Sequence, residues 1–239
     1  LKISDGCSRR CTFCTIPSIR GPLQSQPADR LVERAETLAA HGVRELILVS
    51  QDTARYGSDL DSGESLLKLL GLLEQAEELE WIRVLYMYPG PEFSNELIAM
   101  MTESRTICSY FDIPLQHAAG SVLKRMGRKG SAEEYLELIA SIRRADPDAA
   151  VRSTCITGFP GETDQDFREL CSFVKQAACD HLGVFAYCDE EGTPSFRLDQ
   201  KVDPATAEAR RDELMKIQQE IVREKNSRMI GRVFRAAVD

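Results

Sequence analysis

Strand-like and helical segments alternate along the whole of this 239-residue chain, and no other feature limits its fold as strongly. Each strand-like segment is short and apolar, and a helical pattern follows it. Repeated strand–helix units build a parallel sheet with right-handed crossovers. We therefore predict the α/β class, with either a barrel-like sheet or a doubly wound one. The six predicted strands span residues 1–4, 45–50, 82–88, 110–115, 151–157 and 182–188.

The predicted helices carry start signals that can be read from the sequence. Ser131 and Glu134 have the spacing of a capping box, and Asp203 followed by Pro204 is typical of the first turn of a long helix. That last helix is highly charged, with acidic and basic residues alternating, as on a solvated face. The other predicted helices span residues 27–42, 64–79, 94–103 and 164–177, with a short one near 121–126.

Polar residues and glycines gather directly after the predicted strands. A cysteine-rich loop follows the first strand, and Gln51 and Asp52 follow the second. Gln116 comes after the fourth strand, and the turn TGFPGET, residues 157–163, ends the fifth. Because the carboxyl ends of parallel strands meet at one rim of the sheet, we predict an active site at this rim.

The cysteine-rich loop holds Cys7, Cys11 and Cys14 in the spacing C-x3-C-x2-C. Thiolates so close together let one loop wrap a zinc ion or an iron–sulfur centre. A structural zinc site needs a fourth ligand, which no neighbouring histidine supplies, and a disulfide would leave one thiol over. A cubane cluster gripped at three corners, with one iron open to a substrate or cofactor, is the interpretation we favour. A zinc-binding domain and an electron-transfer module remain as alternatives.

Composition narrows the class of protein further. The net charge of −8 argues against a surface that coats nucleic acid, because phosphate contacts need clustered lysine and arginine. No apolar run is long enough to span a bilayer, so we expect no membrane partner. The remaining five cysteines are scattered at mostly apolar positions, which is typical of core thiols in a reduced, cytoplasmic protein. They are Cys108, Cys155, Cys171, Cys179 and Cys188.

The cysteine loop, with Phe13 just before its third cysteine, resembles the C-x3-C-x-aromatic-C signature of radical S-adenosylmethionine enzymes. The resemblance implies a [4Fe-4S] cluster with one open iron, and S-adenosylmethionine bound to that iron. It also implies a reducing electron donor, release of a 5′-deoxyadenosyl radical and a partial (β/α)6 barrel of the TIM-like type.

Further segments resemble the methylthiotransferase branch of that superfamily. Residues 11–27 run from the cysteines into an I-P-x-x-R-G segment, and residues 151–167 match the fifth strand and turn. Residues 50–57 and 112–131 are more similar to the subgroup that modifies an aspartate of ribosomal small-subunit protein twelve than to the tRNA-adenosine enzymes. The resemblance implies a ribosomal protein substrate and no direct nucleic-acid substrate. The tRNA adenosine enzyme is kept as the alternative.

The resemblance also implies a domain organisation. Full-length members carry an N-terminal domain with a second [4Fe-4S] cluster and a C-terminal TRAM-like β-barrel. We expect residues 1–225 to form the radical core and residues 226–239 to begin the barrel, with a first strand near 232–238. The chain has no initial methionine, so we expect a fragment that lacks the N-terminal domain.

Roles for individual residues follow from the same resemblance. The three cysteines are expected to ligate the cluster, and no further catalytic residue is assigned. His117 is a weaker candidate for a base, since a lone histidine is more often structural. The residues expected to contact the cofactor are Phe13, Gln51, Asp52, Gln116, Arg152, Gly158 and Gly161.

Overall fold

The parallel strands of the computed structural model lie side by side in the order in which they occur along the chain. The structure describes residues 1–76 and 78–236. Strands β3 and β4 pair with each other, and β5, β6 and β7 form a second parallel group. The strands are β1 (Ser4–Asp5), β2 (Gln24–Ser25), β3 (Glu45–Leu48), β4 (Trp81–Val84), β5 (Tyr110–Asp112), β6 (Ala150–Thr157) and β7 (His181–Ala186).

Isolated parallel bridges join these groups into one curved sheet. Lys2 bridges to Val49, which places the N-terminal segment beside β3, and Ile82 bridges to Ile107, which links β4 to the segment before β5. Strand order therefore follows chain order, whereas a doubly wound sheet would reverse it. This arrangement is a partial (β/α)6 barrel, and the predicted fold class is confirmed.

Most helices begin where a side chain caps the first turn. Ser131 accepts a hydrogen bond from Glu134 N and Asp203 from Thr206 N, so both predicted caps are present. The full reciprocal capping box lies instead at Thr163 and Asp166. In the described residues the helices are α1 (Ile16–Arg20), α2 (Ala28–Ala40), α3 (Leu66–Leu73), α4 (Asn95–Glu103), α5 (Gly120–Arg125), α6 (Ala132–Ala145), α7 (Asp164–Ala177) and α8 (Pro204–Ser227). None of these helices is long and apolar enough to cross a lipid bilayer.

Some predicted boundaries differ from the structure. The helix expected over 64–79 ends at Leu73, because the backbone N–H groups of Glu80 and Trp81 both bond to Arg44 O to start β4 beside β3. Strand pairing thus overrides the helical pattern there. Helix α1 and the short antiparallel pairing of β1 with β2 were not predicted.

The segment expected to begin a β-barrel follows α8. Residues 232–236 have no regular secondary structure, and the rest of the predicted strand, residues 237–238, lies outside the described residues. The guanidinium of Arg232 pairs with Asp148 at 2.7 Å, which holds the start of this segment against the turn before β6.

The core lies between the convex face of the sheet and the helices. Along β6 every second side chain is buried, and Val151 and Cys155 pack in one cluster with Leu170 of α7 and Leu214 of α8. The alternate side chains of a strand face the other way, so Arg152 points to the concave face of the sheet. Ile47 and Phe185 alternate with buried neighbours in the same manner and are exposed on that concave face.

The thiols outside the cysteine loop differ in how deeply they are buried. Cys155 and Cys179 are buried core thiols as expected, and Cys108 and Cys171 are half-buried. The expectation is wrong for Cys188, which is exposed. Burial raises the pKa of the Cys155 thiol, and it raises the pKa of Cys179 to about 11. An increase of that size from the usual value of 9.0 lowers the thiolate fraction near pH 8 about a hundredfold.

We therefore expect iodoacetamide to label Cys188 of the folded protein well before Cys155 or Cys179. Timed alkylation at pH 8 followed by peptide mass spectrometry measures each rate. In denaturant the three thiols should react at similar rates, which serves as the control. Native labelling of Cys155 as fast as Cys188 would contradict the assignment.

Candidate functional site

The three cysteines of the loop line one cavity at the carboxyl ends of the strands. The cavity has a volume of about 330 Å³. Its walls also include residues that follow β3, β4 and β5, so four separate strand ends contribute to it. The lining comprises Cys7, Arg9, Cys11, Phe13, Cys14, Ile16, Pro17, Ser50, Gln51, Asp52, Tyr86, Tyr88, Pro114, Gln116 and Arg128.

Backbone contacts to distant segments fix the cysteine loop. Thr12 N donates to Met126 O at 2.9 Å, Thr12 Oγ1 donates to Arg125 O at 2.8 Å, and Ser195 N donates to Thr12 O at 2.9 Å. At the start of the loop Gly6 has φ +68°, and a Cβ there would lie 2.1 Å from Pro22 O. Only glycine fits this position, so the loop enters the cavity on a tightly determined path.

The chemistry of the cavity suits an iron–sulfur cluster. Burial raises the pKa of the Cys7 and Cys14 thiols, so a free thiolate is disfavoured at both positions. Within residues 1–76 and 78–236, no three His, Cys, Asp or Glu side chains are arranged to hold a single metal ion. A cubane of four irons is wider than one ion, so its thiolates stand further apart. Three thiols around one cavity are a donor set that suits such a cluster.

Two acceptor atoms in the cavity wall lack partners in the part of the chain that the structure describes. Asp52 Oδ1 and Gln116 Oε1 are buried without a hydrogen bond. Buried polar atoms are rarely left unsatisfied, so these oxygens point to a ligand with N–H or O–H donors. Burial also raises the pKa of Asp52, although its Oδ2 accepts from Arg9 Nε at 2.7 Å, which favours the charged form.

The backbone at the cavity is held in a conformation that costs energy. Gln116 has φ +73° and Tyr86 has φ +60°, both in the left-handed region that non-glycine residues seldom adopt. Strain of this kind clusters at functional sites because the surrounding structure must stabilise it. Backbone bonds between Gln116 and β6 do so here: Gln116 N donates to Thr154 O, and Gln116 O accepts from Ile156 N, each at 2.8 Å.

The structure brings four of the seven expected cofactor contacts to the cavity and leaves three outside it. Phe13, Gln51, Asp52 and Gln116 line it. A Cβ on Gly158 would lie 2.1 Å from Ala207 Cβ of α8, and one on Gly161 would lie 2.4 Å from Arg125 Nε. The two glycines therefore permit close packing of the turn rather than contact with a ligand in this cavity.

Arg152 lies on the concave face of the sheet, outside the cavity lining. Its Nη1 is 3.7 Å from Asp112 Oδ2, and its side chain is 40% exposed. Asp112 Oδ2 also accepts a bond from Tyr86 N at 3.2 Å, so this carboxylate connects Arg152 to the cavity wall.

His117 belongs to a buried ionic network and not to the cavity lining. Its Nδ1 accepts from Ala119 N at 3.0 Å, and its Nε2 lies 3.3 Å from Glu162 Oε2 without hydrogen-bond alignment. Glu162 Oε1 in turn accepts from Arg210 Nη1 of α8 at 2.7 Å. With no exposed surface, His117 is placed to support the fold rather than to act as a base.

Sequence reasoning missed several residues of the cavity. Tyr86, Tyr88 and Arg128 line it, yet the sequence analysis assigns none of them a role. Arg128 lies within residues 112–131, which were distinguished only by their resemblance to the ribosomal-protein subgroup. The guanidinium carbons of Arg9 and Arg128 lie 3.9 and 4.1 Å from the Tyr88 ring centroid. For the two tyrosines the available signal was that Tyr86 and Tyr88 end the third predicted strand, at the rim where the other site residues converge.

Comparison with known proteins identifies the family. The model of the radical SAM superfamily matches residues 1–174, which is well over half of the chain. The chain belongs to this superfamily. The family prediction made from the cysteine motif is thus confirmed, and the superfamily's [4Fe-4S] cluster and S-adenosylmethionine agree with the cavity chemistry described above.

Curated relatives carry a narrower name. The chain is 45% identical over 234 residues to "Ribosomal protein uS12 methylthiotransferase RimO" of Koribacter versatilis, covering 98% of this chain and 46% of that protein. It is 46% identical over 239 residues to the protein of the same name from Trichlorobacter lovleyi, covering 100% of this chain and 53% of that one. The chain spans about half the length of the curated relatives it matches.

Solved structures support the fold. Coproporphyrinogen III oxidase (HemN) from Escherichia coli, a radical SAM enzyme, superposes with a TM-score of 0.66 at 16% identity, covering 92% of this chain and 51% of that one. Methylornithine synthase (PylB) gives a TM-score of 0.60 at 15% identity, covering 91% of this chain and 61% of that one. At such identities the likeness concerns the fold alone.

Proposed function

We propose that this chain is the radical-generating core of a methylthiotransferase that installs a methylthio group on the β-carbon of an aspartate of ribosomal small-subunit protein twelve. The observation that carries the proposal is that three cysteines share one cavity with the unpartnered acceptors Asp52 Oδ1 and Gln116 Oε1. The relatives named as uS12 methylthiotransferases, similar over nearly the entire chain, support the choice of branch and substrate.

Cys7, Cys11 and Cys14 would hold a [4Fe-4S] cluster with one iron open. When bound there, the cluster and S-adenosylmethionine supply a 5′-deoxyadenosyl radical, which can abstract hydrogen from a carbon that ordinary bases cannot deprotonate. The acceptor atoms of Asp52 and Gln116 suit the amino group of S-adenosylmethionine, which brings N–H donors.

The rest of the cavity wall would position the cofactor and exclude water. Gln51 would be a further polar contact to the cofactor, and Phe13 would give it an apolar surface to pack against. Phe13 is itself set by Phe159, whose ring centroid is 6.3 Å away in an edge-on arrangement. The glycines beside Phe159, Gly158 and Gly161, would act indirectly, by letting this turn pack against α8 and Arg125. A dry and rigid wall keeps a reactive intermediate from side reactions.

Arg152 would receive the target carboxylate. The fork of a guanidinium binds a carboxylate through two parallel bonds, and Arg152 is only loosely paired with Asp112 at 3.7 Å. It faces the concave side of the sheet, next to the segment that carries Tyr86 into the cavity wall.

The proposal extends to partners and domains. It includes a low-potential electron donor, a ribosomal protein as substrate without a direct nucleic-acid substrate, and a cytoplasmic location, where ribosomal proteins occur. Residues 1–225 would be the radical core and residues 226–239 the beginning of a TRAM-like barrel. A second [4Fe-4S] cluster would be held by a domain N-terminal to this chain in the full-length protein.

The test incubates the full-length protein, loaded anaerobically with iron and sulfide and reduced, with S-adenosylmethionine and either the ribosomal protein or tRNA. We expect 5′-deoxyadenosine together with the mass gain of a thiomethyl group on an aspartate of the ribosomal protein. A gain on tRNA adenosine would favour the related tRNA enzyme. A cluster without 5′-deoxyadenosine would indicate an electron-transfer module, and bound zinc without iron would indicate a zinc-binding domain.

A further inference from the structure

Arg128 is a buried cation beside the cysteine loop. The residue lies shortly after the end of α5 and is 6% exposed. Its Nη2 donates a hydrogen bond to Pro114 O at 2.6 Å. Its Nη1 points at Cys11 Sγ, 3.7 Å away. The guanidinium therefore joins the backbone beyond β5 to one of the three thiols.

No carboxylate compensates the charge of Arg128. Among the residues that the structure describes, no Asp or Glu oxygen lies within 4.0 Å of it, and its Nε is buried without a hydrogen bond. Arg9, which stacks on the opposite face of the Tyr88 ring, is by contrast paired with Asp52 and Glu92. A buried charge without a counter-ion costs several kcal/mol, about the effective penalty per ion after relaxation, so an anion is expected near Arg128.

The Cys11 sulfur is the group in position to be that anion. A neutral thiol would leave the guanidinium uncompensated, whereas a thiolate bound to a cluster carries negative charge directly against Nη1. The Tyr88 ring also stabilises the cation through its face, at 4.1 Å from the guanidinium carbon. The stack holds Arg128 in place but supplies no net negative charge.

We propose that Arg128 is a positioning residue that acts as the counter-ion of the Cys11 thiolate and raises the reduction potential of the cluster. The inference rests on the proposed cluster site. Reduction by one electron makes the cluster and its three thiolates more negative by one charge. A fixed cation next to one thiolate stabilises the reduced form more than the oxidised form, so the potential rises.

The test measures the midpoint potential of the protein after anaerobic loading with iron and sulfide, by dye-mediated titration followed by electron paramagnetic resonance. In Arg128→Gln we expect the equilibrium constant for reduction to fall at least tenfold, which is about 59 mV for one electron. Arg128→Lys keeps the charge but cannot reach both Pro114 O and Cys11 Sγ. Its midpoint potential should therefore lie between those of wild type and Arg128→Gln. Lys129→Gln, the same loss of charge at the next and exposed residue, is the matched control and should leave the potential unchanged.

Each outcome decides the inference. Equal midpoint potentials in wild type and a folded, iron-loaded Arg128→Gln variant would overturn the inference. The role of Arg128 would then be structural, through its hydrogen bond to Pro114 O. If Arg128→Gln cannot be isolated, the neutral variant Arg128→Met takes its place, and a potential equal to that of wild type in this variant overturns the inference in the same way. A wild-type protein that binds no iron would instead remove the proposed cluster site itself, so the two failures are distinguishable.

Discussion

Replacement of any one of Cys7, Cys11 and Cys14 by alanine is expected to abolish both cluster retention and 5′-deoxyadenosine formation. With three protein ligands and one open iron, loss of one thiolate leaves only two, which is too few to hold the cluster against chelation and oxidation. Iron and sulfide content after anaerobic loading, together with 5′-deoxyadenosine measured by chromatography, check the expectation.

The matched control for these variants is Cys188→Ala. Cys188 is an exposed thiol that lies outside the cavity, so its loss should change neither iron content nor cofactor cleavage. A triple-cysteine site is ruled out if Cys11→Ala retains the iron content and visible absorbance of the wild type.

Replacement of Arg210 by methionine is expected to lower the free energy of unfolding by about 3–5 kcal/mol, because breaking a buried ion pair strands the other charge. Glu162 is fully buried, and Arg210 Nη1 is its partner at 2.7 Å. Urea unfolding followed by circular dichroism measures the change. The neighbouring Arg211→Met is the control, since Arg211 pairs with the exposed Asp212 and should cost little.

A second substitution tests the cause of that loss. In Glu162→Gln/Arg210→Met no buried charge is stranded, so the double variant should be more stable than Arg210→Met alone. If the double variant is instead the less stable of the two, Arg210 acts through packing on Phe167, whose ring centroid is 5.5 Å from its guanidinium carbon, and not through charge.

Much of the fold could be predicted because the signals are local. Residues close together in the sequence determine the alternating burial along β6 and the helix caps at Ser131, Thr163 and Asp203. The end of α3 could not be predicted, since the backbone bonds of residues 80 and 81 to Arg44 O decide it from far along the chain. The local sequence pattern indicates whether a segment favours a helix or a strand. Hydrogen bonds to distant segments determine where that helix or strand ends.

The same division holds for the candidate site. Cys7, Cys11 and Cys14 can be found from spacing alone, because one loop brings them together. Arg128 reaches Cys11 across 117 positions of sequence, and Arg210 reaches Glu162 across 48. Both Arg128 and Glu162 lie in segments that resemble the family, but no pattern in the sequence indicates which residue either one contacts. The contacts around His117 likewise depend on α8 packing against the turn after β6, which no local pattern specifies.

The six-stranded sheet leaves its two outermost members, the N-terminal segment and β7, unpaired with each other in the part of the chain that the structure describes. A closed eight-stranded ring is filled inside and can be approached only from its ends. Here a missing sector opens the interior sideways, with Phe185 at its border. Through this lateral opening the proposed protein substrate could present one residue to the cavity while the rest of its folded structure stays outside. The substrate would therefore not need to unfold.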